Sequence, residues 1–117
     1  WSLKNEREEI SKFDFGVMPL INNNYTKGKC SFKAIQYMGI GVIPVISSVG
    51  MNNELISDGI NGFLVSNNLW FDKFLSILNL NNNELHKISK LSHKTVIENY
   101  SFINNSDRFL EFIEDVN

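Results

Sequence analysis

The 117-residue chain has a single cysteine, Cys30, which excludes an internal disulfide framework and a thiolate metal cluster and suits a reducing compartment. It also lacks a long hydrophobic run. The stretch from Met38 to Ile46 falls well short of the ~18 apolar residues that span a bilayer, so no transmembrane segment is expected. There is no excess of positive charge either. With a formal net charge of -2, the chain does not carry the basic stripe of a general nucleic-acid binder, so no nucleic-acid partner is expected. Both standard nucleotide fingerprints, G-x-x-x-x-G-K-[ST] and G-x-G-x-x-G, are missing. No segment reads as a signal peptide, and a start at Trp1 rather than Met is what a fragment would show.

What is present describes an ordinary globular chain. Hydrophobic residues make up 43% and charged residues 21%, over a length that suits one domain and not two. Asparagine is frequent, with triplets at 22–24 and 81–83. Its side chain suits turns and helix caps. Codon usage in an AT-rich genome is the simpler explanation for the excess.

Periodicity divides the chain into alternating elements. Leu3 to Lys12 reads as a short amphipathic helix with Glu6, Glu8 and Glu9 near its start. Phe13 to Leu20 reads as a strand buried on both faces and ended by Pro19. Ile21 to Gly28 is a polar loop. From Ser31 the period is helical, with Phe32, Ile35 and Met38 assigned to a buried face and Lys29, Lys33 and Gln36 to another. Gly39 and Gly41 close that helix.

Val42 to Ser47 is a second buried strand, Asn53 to Ile56 a brief helix, Gly59 to Gly62 a tight turn and Gly62 to Ser66 a third strand. Asn68 is the expected cap of a helix that turns Phe71, Phe74, Leu75 and Leu78 inward. Asn81 and Glu84 have capping-box spacing ahead of Leu85, Ile88, Leu91, Thr95 and Val96. Ser101 would cap a last helix bearing Phe102, Phe109, Phe112, Ile113 and Val116. This alternation predicts an α/β domain with a parallel sheet flanked by helices, half of a doubly wound fold.

One stretch invites a chemical reading. TKGKCSFKAIQYMGIGVIPVISSVG, residues 26–50, follows a strand and opens a helix. In open parallel sheets ligands lie beyond the carboxyl ends of the strands, and the unpaired amides of a helix start attract anions. Gly28 would allow close approach, and Lys27, Lys29 and Lys33 would add positive charge. The same pattern equally describes a solvated helix start packed on a buried strand. His86 and His93, seven apart on one helix, stand about 10 Å from each other, too far to share a metal, and no metal site is expected.

Four features in fixed order carry a resemblance. FDFGVMPL, GKCSFKAIQYMGIGVIPVISS, VGMNNELISDGINGFLVS and a helix ending in ENYS together resemble the C-terminal domain of retaining family-4 glycosyltransferases, the group 1 type with two Rossmann-like domains known as the GT-B architecture. The likeness covers residues 13–101, with 102–117 as a C-terminal helix.

It implies that the chain is a partial C-terminal domain that binds a nucleotide-diphosphate sugar for retaining transfer to an acceptor, in bacterial cell-envelope or capsular polysaccharide synthesis. The full-length protein would be a hexosyltransferase without metal or cofactor. It would be cytoplasmic or peripheral at the inner face of the plasma membrane.

Carried over by position, the donor contacts fall on Gly28, Lys29, Cys30, Ser31, Phe32, Lys33 and Gln36, with Glu54 on the donor side. Gly28 and Gln36 stand where the family usually has two glutamates. A glutamine can still hydrogen-bond a ribose hydroxyl. No catalytic residue is assigned, because the acceptor domain that supplies most such groups would be N-terminal to this chain. The chain alone is therefore expected to be inactive, and to self-associate through its last helix. The alternative is a non-catalytic Rossmann-like binding or interaction module, which the two lost acids favour.

Overall fold

Three short apolar segments, each leading into a helix, assemble as a parallel sheet. The computed structural model describes residues 2–29 and 31–101, and only the backbone of Leu3 and Lys4. Strands β1 (Phe15–Met18), β2 (Ile43–Ser47) and β3 (Phe63–Val65) lie in the order β1-β2-β3. Phe15 to Met18 run parallel to Ile43 to Ile46, and Val45 to Ser47 run parallel to Phe63 to Val65. Around them are α1 (Leu3–Ile10), α2 (Asn24–Lys27), α3 (Phe32–Ile40), α4 (Asn52–Leu55), α5 (Trp70–Leu78) and α6 (Asn82–Tyr100). The chain is thus α/β with a small parallel sheet flanked by helices, compatible with a Rossmann-like arrangement. Among the described residues, no helix is long and apolar enough to cross a membrane. Cys30 and the expected last helix after Ser101 lie outside the described residues.

Alternation along the strands sends side chains to two cores. On one face Ile46 packs with Ala34, Met38, Leu55, Ile56 and Val96. On the other, Ile43 and Val45 pack with Phe63, Val65, Ile77 and Ile88. Both faces of β2 are therefore covered, which explains its unbroken apolar sequence. Helix α6 contributes to both cores, through Ile88 and Val96. It begins with the expected capping box, in which Asn81 and Glu84 each accept the other's backbone N–H.

Several expectations need correction. β1 is not buried on both faces, since Val17 is 44% exposed. It is one of the two edge strands of the described sheet. Phe32 is not core but 64% exposed. Residues six apart on a helix point about 120° away from each other, so Phe32 and Met38 cannot share one narrow face.

In α5 the buried side is Trp70, Phe74 and Ile77, while Phe71, Leu75 and Leu78 are exposed. The two triplets have identical spacing and are offset by one residue, about 100°. Only one can face the sheet. Asn68 does not cap α5: Leu69 holds that position, and Asn68 is left-handed at φ 60°.

The turn after α4 follows expectation. Asn61 is buried, accepts from the Ser57 amide at 2.8 Å and donates to Leu55 O and Thr95 Oγ1, each at 3.2 Å. The Tyr37 ring lies over Gly16. A Cβ at residue 16 would come within 2.3 Å of its Cδ2 atom. Gly16→Ala should therefore lower stability by about 1–3 kcal/mol through overpacking, as read from urea denaturation. The same substitution in a Tyr37→Ala background should cost much less, because the clashing ring is gone.

Candidate functional site

The chain leaves β1 past Pro19 and turns at once into structure. The stretch expected as a polar loop contains α2, a single helical turn with its own capping box. Asn23 Oδ1 accepts from the Thr26 amide at 2.9 Å, and Thr26 Oγ1 accepts from the Asn23 amide at 3.1 Å. The same threonine hydroxyl donates to Ile21 O. Thr26 is buried, so this turn is anchored and not free in solvent.

The glycine that matters for this loop is not Gly28. Gly28 has an ordinary helical φ of -81°, and a Cβ there would stand 3.5 Å from Tyr25 O, a normal contact. Its amide donates to Tyr25 O, and that of Lys29 donates to Thr26 O, each at 3.2 Å. The backbone amides at two of the expected donor positions are therefore occupied by the end of α2.

Gly50 is the constrained position. Its φ is +53°, and a Cβ would come within 2.7 Å of Lys27 O and 2.9 Å of Lys27 Cα. The α2 turn rests directly on Gly50, which sequence reasoning did not single out. Its only signal was a glycine after a buried strand.

Ser31 precedes α3 in a left-handed conformation, φ 55°, unusual for a residue with a side chain. It caps none of the first-turn amides. Its hydroxyl instead donates at 2.5 Å to Asn52 Oδ1, and Asn52 Nδ2 donates at 2.8 Å to Ser47 O. Ser47 Oγ accepts the Leu20 amide at 2.7 Å. A relay thus ties the end of β1, the end of β2, the start of α4 and the start of α3. Asn52 is only 2% exposed at its centre. Phe32, Lys33 and Ala34 supply the first-turn amides of α3, which the Ser31 side chain leaves uncapped.

Beside this helix start is a cavity of about 450 Å³, bounded by Leu20, Gly28, Lys29, Ser31, Phe32 and Lys33. The structure brings those expected donor residues together. Gln36 lines a different, smaller concavity of about 230 Å³ with Glu6, Arg7 and Ile10, facing α1. Glu54 stands exposed on α4 and lines neither.

Lys33 is engaged by Glu6, with Nζ 3.0 Å from Oε1, and lies 5.6 Å from the Tyr37 ring centroid. The Lys29 ammonium lies 5.3 Å from the ring of Tyr25. Among the described residues, no cluster of three or more His, Cys, Asp or Glu side chains is arranged to hold a metal. No protein-family model matches the chain, and no curated protein is significantly similar to it.

The relay can be tested directly. Asn52→Leu would strand the buried Ser31 hydroxyl and leave Ser47 O with the Val49 amide alone, and should cost about 1–3 kcal/mol in chemical denaturation. Gly50→Ala combines a left-handed φ with contact against backbone that cannot swing away. It should cost about 2 kcal/mol or more and perturb amide resonances of Asn24 to Gly28 ahead of those in β3.

Proposed function

We propose that this chain is the donor-binding part of a retaining glycosyltransferase and holds the diphosphate of a nucleotide sugar at the start of α3. One observation carries the reading: the Ser31 side chain caps none of the first-turn amides of α3, which open beside a cavity that Lys29 and Lys33 line. Unpaired amides at a helix N-terminus carry partial positive charge and favour phosphate oxygens. Ser31 would normally compete for them, but Asn52 holds its hydroxyl elsewhere. The cavity also adjoins Leu20, just past the carboxyl end of β1, where open parallel sheets bind ligands. The resemblance in motif order supplies the sugar-transfer part of the proposal.

In this reading the amides that meet phosphate are those of Phe32 to Ala34, not those of Gly28 and Lys29. The two lysines would neutralise charge, and fixed donors of this kind stabilise a departing nucleoside diphosphate. This reading assigns the chain donor binding and no catalytic residue, so the chain is expected to bind without turnover.

A second reading has its own support. Lys33 is paired with Glu6, and Gln36 faces α1 and not the cradle. Both residues then serve to fasten α1 to α3, as in a non-catalytic interaction module.

Titration of the labelled chain with UDP and with GDP separates the two readings. The donor reading expects saturable shifts at the Phe32, Lys33 and Ala34 amides, weaker in Lys33→Ala. Glu6→Gln should strengthen binding by about 2–5-fold, because a partly exposed ion pair of about 0.5–1 kcal/mol no longer competes for the lysine. Absence of saturable shifts with either nucleotide, together with loosening of α1 in Lys33→Ala, would establish the interaction-module reading instead.

A further inference from the structure

Residues 61 and 62 are the one Asn-Gly pair in the sequence, and the fold requires each for a separate reason. Asn61 is buried in the turn between α4 and β3, and its side-chain nitrogen donates to Leu55 O and Thr95 Oγ1, each at 3.2 Å. Its Oδ1 accepts the Ser57 amide at 2.8 Å. Thr95 commits its own hydroxyl proton to Leu91 O at 2.8 Å, so toward residue 61 it acts as an acceptor. The position therefore faces two acceptors and one donor, a set that an amide satisfies and a carboxylate does not. Gly62 is required by space. A Cβ there would come within 2.7 Å of Pro44 Cγ and 3.2 Å of Pro44 O, and Pro44 is fully buried in β2.

Together the two residues make a labile pair. Glycine carries no side chain to shield its backbone nitrogen, so that nitrogen is open to attack the side-chain amide before it. The attack needs Asn61 Cγ over the Gly62 nitrogen. In the folded chain the Asn61 side chain is instead bonded back to Leu55 and Ser57 and across to Thr95 on α6. The turn must open before the reaction begins.

We propose that Asn61 is a modification site gated by the 57–62 turn: it deamidates only when the turn opens, and the acid formed keeps the turn from closing again. In the open turn the Gly62 nitrogen loses its proton to solvent base and bonds to Asn61 Cγ. The Cγ–Nδ2 bond then breaks, and ammonia leaves with a proton taken from water. Water adds to one carbonyl of the resulting succinimide and breaks a ring C–N bond, giving aspartate or isoaspartate. Aspartate sets a carboxylate oxygen against Leu55 O in a buried place. The Thr95 hydroxyl can rotate to donate, whereas the Leu55 carbonyl cannot. Isoaspartate also lengthens the main chain by one carbon beside Gly62, where Pro44 leaves no room. Each opening thus carries a chance of one-way loss, and this turn limits the lifetime of the folded chain. The inference does not depend on the nucleotide reading.

The test follows conversion at Asn61 by peptide mapping with tandem mass spectrometry, in mildly alkaline buffer. The native chain is compared with the chain unfolded in guanidinium chloride. Native conversion should be slower by about tenfold or more, because reaction from an open state scales with its population. Thr95→Val removes one bond that closes the turn and should speed native conversion by about 2–10-fold. Asn61→Asp should unfold at lower denaturant than the wild type at neutral pH. That gap should narrow on acidification, since a protonated carboxyl again donates to Leu55 O. Equal conversion in the native and unfolded chains would overturn the gating. An Asn61→Asp chain as stable as the wild type would overturn the lock. The comparison of native with unfolded wild type needs no variant, so the gating is decided even if Thr95→Val fails to fold.

Discussion

The hydrogen-bond relay from Ser31 through Asn52 to Ser47, and from Ser47 to the Leu20 amide, is the constraint on which the rest depends. A three-stranded parallel sheet leaves its strand ends as separate loops, each costly to order alone. Here the buried Asn52 side chain joins the end of β2 to the start of α3, and the Ser47 hydroxyl adds the segment after β1. Because Asn52 lies in a dry setting, each of its bonds is costly to break, and a partial relay would be worse than an apolar contact. The relay also sets chemistry, since a serine engaged with Asn52 cannot cap α3. The opening of those helix amides is thus a consequence of the same contact that fixes the loops.

In the proposed reading, Lys33 stands between stability and binding. Its pair with Glu6 joins α1 to α3 across a partly exposed surface, where such a bond contributes about 0–1 kcal/mol. The ammonium also lies near the Tyr37 ring, and Tyr37 itself is seated on Gly16. A ligand phosphate that drew Lys33 away would therefore act on a contact chain reaching β1. The weakness of the ion pair makes such an exchange feasible. A buried pair would resist it.

Much of the fold was legible in the sequence, and its failures have physical causes. The parallel strands, the Asn81–Glu84 box and the Asn61 turn follow from local chemistry that acts over a few residues. The face of α5 does not, because two apolar triplets one residue apart satisfy the same periodicity. Only the tertiary fit of Trp70, Phe74 and Ile77 against the sheet selects between them. Asn52 was invisible for another reason. Asparagine is so common here that codon usage accounted for its abundance, yet this one is buried and bridges two elements 21 and 5 residues away. Abundance explains how many asparagines there are, not where one is held. The helix start beside a concavity was legible in outline, but the amides of Gly28 and Lys29 are not open there, because α2 consumes them.

Two cavities share the relay as a common support, the one beside α3 and another at the carboxyl ends of the strands. Leu20 lines both, Ser31 and Asn52 line the one beside α3, and Ser47 lines the one at the strand ends. Their lining divides by charge, with lysines at the helix start and only neutral groups beyond β2 and β3. Lysine near unpaired amides stabilises an anion, whereas the same lysine beside neutral hydroxyls would remain solvated and contribute little. The division therefore follows from which elements meet at each place. A helix start brings amides of one polarity, while three strand ends bring turns rich in serine and asparagine, whose donors and acceptors are balanced.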